Sequence, residues 1–188
     1  MGKDVTIEEQ VWMAKNLNVV KFRNGDSIPE AKTDEEWEKA GDNGQPVWCY
    51  YNNDPLNGEK FGKLYNWYAV NDTRGLAPVG WKIPSDKDWK ILTDYLGGEE
   101  IAGTKMKSKS GWKEDGNRTN ESCFSATPLG MRFHLGMFSN DSAYATWWTS
   151  TEDEAAIAVG RRILHSLGSV IRITLPKEYG ISVRYLKV

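Results

Sequence analysis

Histidine and cysteine are almost missing from this chain of 188 residues, which has two of each. The cysteines, Cys49 and Cys123, are too few for a disulfide framework and have no metal-ligand spacing. Neither has a neighbouring His or a CxxC partner to lower its thiol pKa, which removes the usual basis for cysteine chemistry. They are read either as free buried thiols or as one pair. Charge of a single sign is lacking too. Lys and Arg number 24 against 26 Asp and Glu, for a formal net charge of −2. They form no basic stripe, so nucleic acid is not an expected partner. Apolar runs of about 18 residues, the length of a bilayer span, do not occur, and membrane insertion is not expected. No secretory apolar segment follows Met1-Gly2. That start suits a protein made in the cytoplasm or one trimmed of its export signal.

Aromatics and glycine are plentiful instead: nine Trp, eight Tyr and 18 Gly. Large aromatics fill an irregular interior or supply contact area, and glycines beside Asn and Asp mark tight turns. One domain over residues 1–188 is expected. Thr33-Asp34-Glu35-Glu36 has the capping-box pattern, which predicts a short helix through Trp37 ending at Gly41. Leu64, Trp67 and Tyr68 predict a helix near 63–71. Ser85 caps another near 85–96, with Trp89, Leu92 and Leu96 as its stripe. Residues 103–146 show no sustained period and are read as irregular. Strands are expected near 145–151, 158–166, 169–175 and 180–187. Trp12, Trp67, Trp81, Trp89, Trp147, Ile181 and Val183 are the expected core, with the first and last strands adjacent. The class is α+β, with two helices flanking a small twisted antiparallel sheet and long irregular loops.

Several segments carry a resemblance: Gln10 to Asn18, Cys49 to Asp54, Gly62 to Val70, Gly75 to Asp86, Asn120 to Ser122, Trp147 to Glu152 and Gly180 to Arg184. In this order they are similar to the Fibrobacter succinogenes major paralogous domain, a family of bacterial extracellular domains grouped with the C-type lectin fold. The resemblance runs from end to end and implies that fold. Metal-dependent sugar binding in C-type lectins uses Glu-Pro-Asn and Trp-Asn-Asp segments, and neither is present. Asn52-Asn53-Asp54 and Asn71-Asp72 offer oxygen ligands for Ca²⁺ but read more simply as turns. No metal or other cofactor is assigned.

Departures from the family pattern cluster at about 129–137 and 155–175. Where the family has Pro-Gly-Gly-Tyr-Arg, this chain has Pro128-Leu129-Gly130-Met131-Arg132. The replacements are mainly apolar, whereas drift on a solvated face favours polar ones. This looks like the variable proteins of diversity-generating retroelements, which mutagenise a C-terminal surface of a C-type lectin fold. Ordinary drift is the alternative. His134 and His165 both lie in the divergent segments, where a catalytic base would be lost as the surface changed. No catalytic residue is assigned, and the chain is not read as an enzyme. Period two places Val159, Arg161, Ile163 and His165 on one side of a strand, and small Ala158 and Gly160 suggest that theirs is the packed side. The outward set is then extended by Ile171, Ile173 and Leu175 and by loop residues Ala155, Ala156, Ile157, Ser166 and Leu167. Met131, Phe133, His134, Leu135 and Met137 border it. Such an apolar patch suits a protein ligand or receptor better than a glycan. A display protein on an extracellular surface or virion is the expected class, with a non-diversified adhesion or pilus-associated domain as the rival.

Overall fold

The computed structural model describes residues 4–139 and 142–188. Strands β1 (Asp4–Ile7) and β2 (Gln10–Met13) form an antiparallel hairpin. Helix α1 (Asp34–Asp42) follows, opened by a complete capping box. The Thr33 hydroxyl accepts the Glu36 N–H at 3.2 Å, and the Glu36 carboxylate accepts the Thr33 N–H at 3.3 Å. Next come β3 (Trp48–Cys49), α2 (Pro55–Phe61), β4 (Leu64–Tyr65), α3 (Trp67–Val70) and β5 (Trp81–Lys82). Helix α4 (Asp86–Tyr95) is capped reciprocally by Ser85 and Asp88, as its sequence predicts, and buries Trp89 and Leu92. Helix α5 (Glu99–Met106) leads into an irregular stretch. The chain then enters β6 (Tyr144–Glu154), β7 (Ile157–Leu164), β8 (Ile171–Pro176) and finally β9 (Leu186–Lys187).

The terminal strands meet as expected. β2 pairs with β9 through Trp12 and Leu186, giving a sheet ordered β1-β2-β9-β5. The mixed helix and antiparallel sheet content is α+β. A second, antiparallel sheet has the order β6-β7-β8. Consecutive strand residues point to opposite faces, so the double Trp straddles this sheet. Trp147 enters a core with Trp12, Trp89, Phe124 and Ile163, while Trp148 enters one with Tyr65, Trp67, Ile181 and Val183. Register then shifts: Trp148 lies opposite Gly160, but Glu152 lies opposite Ala158. In this β-bulge the Thr149 hydroxyl donates to the Val159 carbonyl at 2.9 Å, and the Thr149 carbonyl accepts the Trp67 indole N–H at 3.0 Å. The Trp-Trp-Thr-Ser-Thr run is thus framework.

Several expectations change. Among the described residues stand five α-helices and several antiparallel sheets, in place of the expected two helices flanking one small sheet. The strand expected near 180–187 is reduced to β9, with Ile181 and Ser182 in isolated bridges to Tyr65 and Trp147. The helix near 63–71 shrinks to the single turn α3, because Leu64 lies in β4 and belongs to a different buried cluster from Trp67. Asn66 makes the break. Its side-chain oxygen accepts the N–H groups of Val47 at 3.1 Å and Ala69 at 3.2 Å, ending the strand and starting the helix at once. The segment from 103 is not irregular from its start, since α5 runs to Met106. Gly103 concealed it: a Cβ there would sit 2.6 Å from the Ser169 carbonyl, so the residue is glycine for close approach rather than for a turn. The cysteines are free and in unlike settings. Cys49 is buried, with its thiol pKa pushed up to about 12 by desolvation, and Cys123 is exposed.

Buried cations hold the irregular segments. The Arg184 guanidinium donates to Asn16 Oδ1 (2.8 Å) and to the carbonyls of Met13 (2.8 Å), Phe124 (2.7 Å) and Ser125 (3.1 Å). Burial lowers its pKa, and these four acceptors offset that penalty. Lys107 does the same for the β7–β8 connection, donating to the carbonyls of His165 and Leu167 at 2.8 and 2.7 Å.

Candidate ligand-binding face

Antiparallel partners lying directly opposite one another project to the same side. In the β6-β7-β8 sheet, Val159 faces Thr174 and Arg161 faces both Trp147 and Arg172. That side packs on α4 and α5, and we call it the helix side. On the other side, the open side, Gly160 lies between Trp148 and Ile173, Arg162 between Thr146 and Ile171, and Leu164 opposite Tyr144. The expected outward set is therefore split by the sheet. Ile171, Ile173 and Leu175 are on the open side, whereas Val159, Arg161 and Ile163 are on the helix side.

On β7 burial follows the split, whereas on the edge strand β8 the helix-side Arg172 and Thr174 are exposed and the open-side Ile171, Ile173 and Leu175 are half-buried. Val159 and Ile163 are fully buried and Arg161 is 2 % exposed, so none of the three can form an outer surface. The small size of Ala158 and Gly160 misdirects the assignment. On the central strand β7 the helix-side Val159, Arg161 and Ile163 are buried, while on the open side Ala158 and Gly160 are buried and Arg162 and Leu164 half-buried. Arg161 pins it to two helix starts, donating to Asp86 Oδ1 at 2.8 Å and Glu99 Oε1 at 2.5 Å. Arg172 joins this network through Asp86 (3.0 Å) and Asp153 (3.2 Å). Met131, placed at the border of the surface by sequence, is also buried, at 4 %. It packs into the core of the open side, where its sulfur lies 3.9 Å from Arg162 Nη2.

The remaining candidates stay accessible. Ile171, Ile173 and Leu175 are half-buried along the edge strand β8. Phe133 is half-buried against Tyr179, with ring centroids 5.5 Å apart, and both, like Leu175, pack against the core that holds Trp148. Leu135 and Met137 are exposed at 57 % and 62 % at the tip of a turn closed by Phe133 N–H donating to the Met137 carbonyl. His134 points elsewhere, to Asp42 at the end of α1 (2.8 Å). Ala155 and Ala156 are exposed in the β6–β7 turn, and Ile157 is half-buried where β7 begins. Ser166 and Leu167 are exposed in the β7–β8 connection. His165, half-buried there, shares the helix-side parity of Ile163 and lies 3.9 Å from Glu114. So the structure puts Ile171, Ile173 and Leu175 on one side of an edge strand, with Leu175 and Phe133 packed on the same core, and turns His134 towards α1 and His165 towards the helix side.

Sequence reasoning missed Tyr144, Arg162, Leu164 and Tyr179, all half-buried on or beside the open side. The signal was available in the double Trp. Once Trp147 and Trp148 are required to enter different cores, pairing parity puts Arg162 and Leu164 with Ile171. The oxygen-rich turns weighed for Ca²⁺ are otherwise engaged. Asp54 caps α2 through the Leu56 N–H, Asn53 Oδ1 accepts from Arg132, and Asp72 pairs with Arg74. No cluster of three or more His, Cys, Asp or Glu side chains able to hold a metal ion occurs among the described residues. Nor is any described helix long and apolar enough to cross a membrane.

The chain matches the profile of the Fibrobacter succinogenes major domain over residues 5–187 and belongs to that family. No curated protein and no solved structure gives a match.

Proposed function

We propose that this chain is a ligand-binding display module with a C-type lectin-like fold, carried on an extracellular surface or virion, and that it captures a protein ligand or receptor on the open side of the β6-β7-β8 sheet. The observation carrying this reading is the placement of Ile171, Ile173 and Leu175 on one side of a half-buried edge strand, with Leu175, Phe133 and Tyr179 packed against the core that holds Trp148. Half-buried aliphatic and aromatic side chains around one cation match the centre of a protein interface. A sugar site needs several hydroxyl-gripping polar groups instead. The pairing of the terminal strands supports the fold assignment.

The finer part of the proposal is that a diversity-generating retroelement varies this surface. DNA flanking the gene tests it. We expect a reverse-transcriptase gene and a near-copy of the region encoding 129–175, differing only at adenines. The differences should fall on accessible codons such as those of Leu135, Met137, Leu164, Ile171, Ile173 and Leu175, and should spare Val159 and Ile163. A second reading, a non-diversified adhesion or pilus-associated domain, is favoured by the burial of Met131, Val159, Arg161 and Ile163 within the divergent segments. Absence of the near-copy, or differences spread over all bases and over core codons, would establish that reading instead.

A further inference from the structure

Three arginines lie on β7 and β8, and two of them have carboxylate partners: Arg161 with Asp86 and Glu99, and Arg172 with Asp86 and Asp153. Arg162 has none among the described residues. Its Nε donates to the Thr146 hydroxyl at 3.0 Å, its guanidinium lies 4.7 Å from the centroid of the Tyr144 ring, and Nη2 touches only the Met131 sulfur. Among the described residues no protein acceptor meets the Nη1 hydrogens. Desolvation depresses the Arg162 pKa, so the surroundings withdraw water from the cation without supplying an anion. Register puts Arg162 on the open side of the central strand, between Thr146 and Ile171, at the last β7–β8 pair.

We propose that Arg162 anchors the ligand by receiving a carboxylate, specifically a Glu or Asp side chain of a protein partner flanked by apolar residues. The inference rests on the open side being the binding face and adds to it the chemistry of the ligand. Thr146 and Tyr144 hold the guanidinium in one orientation, so little side-chain freedom remains to be lost on binding. Its unused N–H groups can accept a carboxylate in a bidentate fork. Ile171, Ile173 and Leu164 would exclude water from that pair and meet the apolar flanks. A polyanion fits less well, since a single cation in an aliphatic surround offers no second charge.

Panning a displayed random-peptide library against the full chain tests the proposal, with an array of uronic- and sialic-acid glycans probed in parallel. The recovered peptides should carry Glu or Asp between apolar residues. Arg162→Met should weaken their binding by about tenfold or more, with partial recovery in Arg162→Lys. The thermal midpoint of Arg162→Met should stay level or rise, because the lost charge had no carboxylate partner among the described residues. A purely structural arginine would lower it. Peptides without acidic preference that are lost in Ile171→Ser but kept in Arg162→Met would overturn the anchor while leaving the face intact. Peptides indifferent to both substitutions would overturn the face itself. Capture of acidic glycans but no peptide would overturn the protein partner, as would recovery of no binder at all.

Discussion

Ile163→Ser should destabilise the protein by about 4 kcal/mol, the combined effect of a buried cavity and an unpaired hydroxyl. Ile163 is fully buried in the apolar core shared by Trp147, Trp89, Val170 and Met106. For a chain of this length the thermal midpoint should fall by on the order of 10 °C. Val159→Ser should behave alike, since Val159 is equally buried. Ile171→Ser, on the accessible edge strand, should cost about 1 kcal/mol or less. Urea titration of the three variants checks the order. Equal losses would mean that the sheet has no separable binding side.

Arg132→Met is the other large effect, at about 4 kcal/mol. The Arg132 side chain is fully buried and donates to the carbonyls of Ala31 (3.1 Å), Thr33 (2.9 Å) and Gly136 (3.0 Å), and to Asn53 Oδ1 (3.3 Å) and Asp34 Oδ1 (2.9 Å). Its guanidinium stacks on Trp37 and Phe138 at 5.0 and 4.8 Å. Methionine fills much of the volume but satisfies none of the five acceptors. Arg132→Lys should rescue little, because one ammonium cannot span them. The turn carrying Leu135 and Met137 should loosen first. Limited proteolysis read at that turn, beside the global midpoint, checks this. A variant with native midpoint and intact turn would show that the network is dispensable.

Arg132 also shows what sequence could and could not yield. It keeps the arginine of the family's Pro-Gly-Gly-Tyr-Arg run while its neighbours depart, so its importance was legible, but its partners lie about a hundred residues away in sequence. Asn16 is similar. It is a motif residue whose side-chain oxygen accepts from Trp147 Nε1 and Arg184 Nε at 2.9 and 2.8 Å. Local signals were read well wherever they involve residues within one turn, as at the Thr33 and Ser85 caps. They failed at Leu64, where helical spacing arose by coincidence across the Asn66 junction. The binding face was half legible. Period two separates Val159, Arg161 and Ile163 from Ala158, Gly160 and Arg162, but it does not say which set is covered. On this central strand Ala158 and Gly160 are buried as well and Arg162 is half-buried. The β8 register that places Ile171 beside Arg162 is set through the β7–β8 connection, where Val170 N–H donates to Glu99 and Lys107 binds two carbonyls.

The central claim is that this sheet stabilises the fold through one side and presents the other to a ligand. Two libraries displayed on cells test it directly, one randomised at Arg162, Leu164, Ile171, Ile173 and Leu175, the other at Ala145, Val159, Arg161 and Ile163, each sorted for resistance to protease after heating. We expect most members of the first library to survive with varied sequence, and survivors of the second to return to the native residues or close aliphatic substitutes. Equal intolerance in both libraries, or free variation at Val159 and Ile163, would contradict the account.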